Sequence, residues 1–227
     1  MKITIIGGAA STGKTAITLY ALRHIITKGI KPAVVKIDCL DASQDKVYAS
    51  LNIPFAVGLS KDLCPDHYLA TNYIGMFNWA KSKEADLLII ETAGLCNRCA
   101  PFIDLAFSIC SIDYTTSINA PAKFGPIVKT ADLLLLSKGD LISQSEREVF
   151  NYRLKELNPN AVVQEVNGLS GRGSKKLADY ILKGKNIDSL DGATLKYTMP
   201  SATCSYCVGE RRIAECYHHG IVNTMTF

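Results

Sequence analysis

The segment Lys2-Ile-Thr-Ile-Ile-Gly-Gly8-Ala-Ala-Ser-Thr-Gly13-Lys14-Thr15 constrains the chain more than any other, because a short apolar run breaks into glycine and then into a helical pattern. It reads as strand, loop and helix, the helix running from about Lys14 to Thr27. Four residues separate Gly8 from Gly13-Lys14-Thr15, the spacing at which backbone amides wrap a row of phosphates. Glycine lets the backbone approach oxygen atoms closely, and the new helix points its partly positive end at the anion. Gly8, Ala9, Ala10, Ser11, Thr12, Gly13, Lys14 and Thr15 form the expected cradle, with Lys14 on the outer phosphates and the Thr15 hydroxyl on Mg²⁺.

Two later apolar runs end on an acid: Lys31 to Asp38, and Asp86 to Glu91 with Gly94 three residues on. A parallel strand that stops this way delivers its carboxylate to the ligand edge of a sheet. Asp38 and Glu91 are thus candidate Mg²⁺ ligands, with Thr15, and candidate water-positioning groups; with Lys14 they make the expected catalytic set. Gly94 has a backbone N–H that can sense a terminal phosphate. A further buried run, Asp132 to Leu136, ends in Ser137-Lys138-Gly139-Asp140. An aspartate there can accept both guanine N1–H and N2–H while the lysine stem lies along the base, which favours GTP over ATP. The loop Asn167 to Gly173 is expected to close over the base. Between these motifs the periodicity gives strands over 53–57, 109–117 and 161–166, and helices over 42–51, 68–82, 146–157 and 174–182.

The soft ligands fall in three places. Cys64 and His67 stand three apart at a helix start, where a thiolate and an imidazole can face one ion. Cys96 and Cys99 follow directly on Gly94, and Cys204 and Cys207 repeat the same spacing near the end, beside Cys216, His218 and His219. Such pairs suit zinc, nickel, copper or an iron–sulfur cluster, or a redox dithiol. The 227 residues are 48% hydrophobic, enough for one full core over 1–183, with 184–227 read as a small Cys/His-rich appendage. A net charge of +4 without a basic run interleaved with aromatics argues against nucleic acid. No apolar run approaches the ~18 residues of a membrane span, and a cytoplasmic protein with reduced cysteines is expected.

The ordered strings GGAASTGKT, KIDCLD, CPDH, ETAGLC, SKGD and NGLSGRG, spread over residues 1–183, resemble the metallochaperone GTPases: the nickel-insertion proteins of hydrogenase and urease maturation and the CobW-like proteins of cobalamin synthesis. The resemblance implies a SIMIBI-class P-loop fold, an α/β architecture with a mostly parallel sheet and helices on both faces. It implies slow GTP hydrolysis, GTP-promoted homodimerisation, and metal handed to a client metalloenzyme as the nucleotide state changes. Asp38 falls at the family's switch carboxylate, Glu91 and Gly94 at its acid and glycine, and Cys64 with His67 at its cysteine–histidine metal motif. Three departures stand out. Pro65 and Asp66 separate Cys64 from His67, Ser137 replaces an asparagine and is expected to weaken the loop's internal bonding, and the Cys204–Cys207 pair is an addition. The cargo is nickel, zinc or a cluster. An ATP-dependent iron–sulfur protein similar to CooC-like and nitrogenase-iron-protein relatives, or a nucleotide-gated protein-binding module, remain the other readings.

Overall fold

Seven short apolar runs, too brief for helices and rich in Ile, Val and Leu, become the strands of one parallel sheet: β1 Lys2–Gly8, β2 Pro32–Asp38, β3 Phe55–Leu59, β4 Leu87–Glu91, β5 Phe107–Asp113, β6 Leu133–Ser137 and β7 Val162–Glu165. Their order across the sheet is β3-β2-β4-β1-β5-β6-β7. The helices are α1 Lys14–Ile26, α2 Asp45–Ala49, α3 Pro65–Ser82, α4 Pro126–Lys129, α5 Gln144–Leu157 and α6 Ser174–Leu182. The computed structural model describes residues 1–40, 45–93, 100–198, 209–218 and 223–227, with backbone only at 45 and 46.

Strand alternation sends side chains to two cores. Ile3, Ile5, Leu88, Ile90, Leu134 and Leu136 meet Tyr73, Met76 and Phe77 of α3 and Phe150 and Leu154 of α5 on one face. Ile6, Ile89, Ile109, Leu133 and Leu135 meet Ile17, Leu22 and Ile25 of α1 and Leu177 and Ile181 of α6 on the other. A sheet covered on both faces is a doubly wound α/β architecture, in which ligands bind beyond the carboxyl ends of the strands. The register brings those ends level: Glu91 lies opposite Ile6 on one side and Lys36 on the other, and Gly8 opposite Ser111.

Two element starts differ from the sequence reading for local reasons. α3 begins at Pro65, because proline fits the first helical turn and Cys64 takes the extended cap conformation. α5 begins at Gln144, because Ser143 and Glu146 form a reciprocal capping box. β5 stops at Asp113, whose carboxylate caps a single turn over Tyr114–Thr116.

The described residues after 183 pack on the same core as the sheet. Leu190, Leu195 and Ile213 are buried in the cluster formed by β1, α3 and α5. Ile187 exchanges hydrogen bonds with Met1 at both ends, donating to Met1 O at 2.9 Å and accepting from the terminal ammonium at 3.0 Å. Lys196 donates from its backbone to Phe102 O at 2.7 Å and from Nζ to Asp132 Oδ2 at 2.8 Å. These contacts make the described tail part of the body rather than a unit with a core of its own.

Candidate functional site

The loop between β1 and α1 is shaped by two glycines. At Gly8, φ is +122°, and a Cβ would come within 2.1 Å of Ser111 O on the neighbouring strand. That close strand approach, beyond any room left for a phosphate, excludes other residues. Gly13, at φ +82°, makes the left-handed turn that starts α1. Thr12 ties the loop down: its hydroxyl donates to Ala9 O at 3.2 Å and accepts from Ser111 Oγ at 2.9 Å.

Lys14 folds over the loop and donates to Gly8 O at 3.3 Å and Ala9 O at 2.8 Å. Burial holds its ammonium below the ordinary lysine value, and the Glu91 carboxylate partly restores it. Glu91 is buried at the end of β4 and takes two hydroxyl donors: Thr15 Oγ1 to Oε1 at 2.5 Å, and Tyr48 to Oε2 at 2.7 Å. Burial first, then Glu91, push the Tyr48 phenol upward, so it remains a protonated donor. Asp38, at the end of β2, accepts from Cys39 N at 2.7 Å and lies 3.9 Å from Nζ of the buried Lys36. Lys14, Thr15, Lys36, Asp38, Glu91 and Thr92 line one cavity of about 420 Å³. A hydroxyl and two carboxylates on one wall are the hard-oxygen donor set that suits Mg²⁺.

A second cavity of about 300 Å³ is lined by Ser137, Lys138, Asp140, Leu141, Asn167 and Leu169. Gly13 and Ala16 line both cavities, so the two form one trench across the start of α1. Asn167 Nδ2 donates to Asp140 Oδ1 at 3.0 Å, and Asn167 Oδ1 accepts from Leu169 N and Ser170 N, both at 2.9 Å. Lys138, in the left-handed conformation at φ 59°, reaches Asp113 Oδ2 at 2.9 Å. Burial alone would raise Asp113, but the Thr115 hydroxyl and Lys138 outweigh it and hold its carboxyl below the ordinary value. One expectation is corrected here. Ser137 does not loosen its loop, because its hydroxyl donates to Thr12 O at 2.8 Å and joins the loop after β6 to the loop after β1.

Cys64 caps α3 and is exposed, while His67 is buried one turn on. His67 Nε2 lies 2.7 Å from Nδ1 of His218, and the two rings stack with centroids 4.5 Å apart. Burial first, then the facing His218, lower the His67 pKa to about 4, so the imidazole is neutral near pH 7. Gly94, Cys96, Cys99, Cys204 and Cys207 lie outside the described residues. Among the described residues no group of three or more His, Cys, Asp or Glu stands ready-made around an ion. Nor is any described helix long and apolar enough to cross a membrane. Lys36, Tyr48, Ser111, Asp113 and the pairing of His218 with His67 were not visible in the sequence, since each depends on strand register or on contacts far apart in the chain.

The chain matches the description "CobW/HypB/UreG, nucleotide-binding domain" over residues 2–165. It belongs to that family. A family member from Yersinia pestis, the urease accessory protein UreG, is 29% identical over 194 residues, covering 78% of this chain and 87% of the relative. An uncharacterized protein of Methanocaldococcus jannaschii is 47% identical over 222 residues, 98% of this chain and 95% of its own, so its similarity extends beyond the family domain into the tail. Among solved structures, the hydrogenase maturation factor HypB of Archaeoglobus fulgidus shares the fold at a TM-score of 0.66 and 20% identity, over 81% of this chain and 89% of its own. HypB of Helicobacter pylori, solved in complex with nickel, has the same TM-score of 0.66 at 16% identity, over 83% and 91%. The P-loop NTPase fold of the CobW/HypB/UreG family is thus the frame for the trench described above.

Proposed function

We propose that this chain hydrolyses GTP and uses its nucleotide state to hold a transition-metal ion and hand it to a client metalloenzyme. The observation that carries the reading is the single trench with lysine, hydroxyl and carboxylates at one end and Lys138 with Asp140 at the other. Asp140 is the acceptor for guanine N1–H and N2–H, and the Lys138 stem, fixed by Asp113, flanks the base. Lys14 exchanges the carbonyls of Gly8 and Ala9 for the β- and γ-phosphates. Thr15, Asp38 and Glu91 would hold Mg²⁺, which supplies charge neutralisation on the phosphate oxygens. A carboxylate oxygen of Asp38 or Glu91 orients the attacking water in line with the γ-phosphate.

The metal side rests on Cys64 and His67, a borderline-soft donor pair suited to nickel or zinc. The nickel bound by the Helicobacter pylori relative favours nickel as the cargo. Gly94, Cys96 and Cys99 enter on the sequence alone, as residues that follow Ala93, which lines the first cavity, and precede Pro101, which accepts a hydrogen bond from Tyr73 of α3. Cys204 and Cys207 enter as further thiolates on their spacing alone. A GTP-promoted homodimer in the cytoplasm and a client that accepts the ion complete the proposal. Metal affinity measured against a competing chelator should differ several-fold between the Mg²⁺-GTP and GDP states. Equal affinities would remove the coupling, and equal turnover of ATP and GTP would remove the guanine assignment.

A further inference from the structure

His218 and residues 223–227 meet α3 at successive points and in its own direction. His218 meets His67, Asn223 O accepts from Asn72 Nδ2 at 3.0 Å, Met225 N donates to Asn72 Oδ1 at 2.7 Å, and Phe227 stacks on Trp79 at 5.6 Å between centroids. Met225 also fills the space that the missing side chain of Gly58 leaves between Ile37 and Tyr68. The buried amide of Asn72 is therefore spent on the tail through both its nitrogen and its oxygen, a bidentate clamp on a segment 151 residues away. The clamp holds the chain against α3 five residues after His218, and His218 meets the same helix through its own contact with His67.

Two imidazole nitrogens 2.7 Å apart share one proton between two lone pairs. Replace that proton with a metal ion and each lone pair becomes a donor. At metal–nitrogen bonds of about 2.0–2.1 Å, a tetrahedral ion separates two ligand nitrogens by roughly 3.3 Å, so the pair has to open by only about 0.6 Å. Cys64 is the exposed N-cap three residues before the buried His67, so its thiol becomes a third donor once it turns in toward the imidazole pair.

We propose that His218, paired with His67 across 151 positions of sequence, is a ligand of the ion held by Cys64 and His67. The inference rests on the reading of Cys64 and His67 as metal ligands and adds to it. Residues beyond the family domain, which ends at 165, would then complete the site within one subunit. Three donors, two imidazoles and a thiolate, leave a fourth position for another thiolate or for a group on the client, which is what a site that must release its ion requires.

The test uses the full-length protein without nucleotide, titrated with Zn²⁺ against a chelator and with Co²⁺ for its visible ligand-field bands. His218→Ala should weaken Zn²⁺ roughly tenfold or more and lower the Co²⁺ band intensity as the ligand set changes. His218→Asn, which keeps a donor for His67, should do the same while leaving the melting temperature of the metal-free protein close to the parent's. Asn72→Ala loosens the clamp without removing a donor, so it should weaken Zn²⁺ to a smaller degree and keep the parent Co²⁺ spectrum at saturation. Parent-like affinity and spectrum in both His218 variants, alongside loss of binding in Cys64→Ser and His67→Ala, would overturn the tail ligand and leave the helix-start pair intact. Parent-like binding in Cys64→Ser and His67→Ala would overturn the underlying reading and the tail ligand together.

Discussion

The Tyr48 hydroxyl donates to Oε2 of Glu91 at 2.7 Å while Thr15 donates to Oε1 at 2.5 Å, so both oxygens of the buried carboxylate have a donor. Tyr48 is fully buried in the segment that follows Asp38 and stacks on Phe55 of β3 at 4.7 Å. It acts as a positioning residue: it fixes the rotamer of Glu91, leaving Oε1 facing Thr15 and the cavity. Tyr48→Phe should cost about 1–3 kcal/mol of stability, because the carboxylate stays buried with one donor fewer. GTP turnover should fall about tenfold in single-turnover assays with GDP affinity nearly unchanged, since the diphosphate does not depend on the orientation of Glu91. A variant with parental turnover and a lowered melting temperature would reduce Tyr48 to a packing residue.

Ser137 stands where the strand end meets the phosphate loop, and its hydroxyl supplies the donor for the buried carbonyl of Thr12 at 2.8 Å. Ser137→Ala removes that donor and should weaken both GTP and GDP by about fivefold, the equivalent of ~1 kcal/mol for one neutral hydrogen bond. The two nucleotides should lose affinity equally, because Ser137 ties the loops together rather than reading the γ-phosphate. Isothermal titration of each nucleotide checks this, and a loss confined to GTP would show that the bond reports on the phosphate chain instead.

The parts of this site that were readable in the sequence share one property: each is a short string set at the end of an apolar run. Gly8 to Thr15, Asp38, Glu91 and Ser137 to Asp140 follow β1, β2, β4 and β6 in that way, and a parallel sheet brings all such ends to one edge. The parts that were not readable depend on which strands lie side by side. Ser111 and Asp113 come to the loop because β5 pairs with β1 and β6, and Lys36 faces the cavity because β2 pairs with β4. The fading periodicity after Lys183 suggested a separate appendage. Its described residues form no strand or α-helix, and they bury single residues, Leu190, Leu195 and Ile213, into a core made by others. Nothing local in the string around His218 points to a residue 151 positions earlier.

Asp113 holds Lys138 at 2.9 Å and keeps its own carboxyl below the ordinary aspartate value. A depressed folded-state pKa means that the unfolded chain binds more protons between the folded value and about 3.8, so stability rises with pH across that window. The contribution is present above about 3.8 and is lost as pH falls through the folded value. Asp113→Asn should therefore flatten the acid limb of the melting temperature against pH below that point. It should also weaken guanine nucleotides by roughly fivefold at neutral pH, because the Lys138 side chain, partly exposed, loses the carboxylate that aims it along the base. An acid limb identical to the parent's would mean that other carboxylates set it.

Asp140 lines the second cavity and accepts from the Asn167 amide at Oδ1, an arrangement that would hold the carboxylate plane beside a bound base. Guanine presents two adjacent N–H donors to it, and each needs an acceptor. In Asp140→Asn one acceptor becomes an NH₂ donor, which faces guanine N2–H₂ donor to donor. Binding of GTP should drop roughly a hundredfold, about 2–3 kcal/mol, as a charged acceptor is lost and a donor is left unpaired. Xanthine carries a carbonyl oxygen where guanine has its amino group, so the same variant should gain affinity for xanthosine triphosphate and reverse the preference. Competition of the two triphosphates against a fluorescent GDP analogue measures both arms at once. If GTP affinity stays within about threefold of the parent, the base is read elsewhere and the assignment of this cavity to guanine fails.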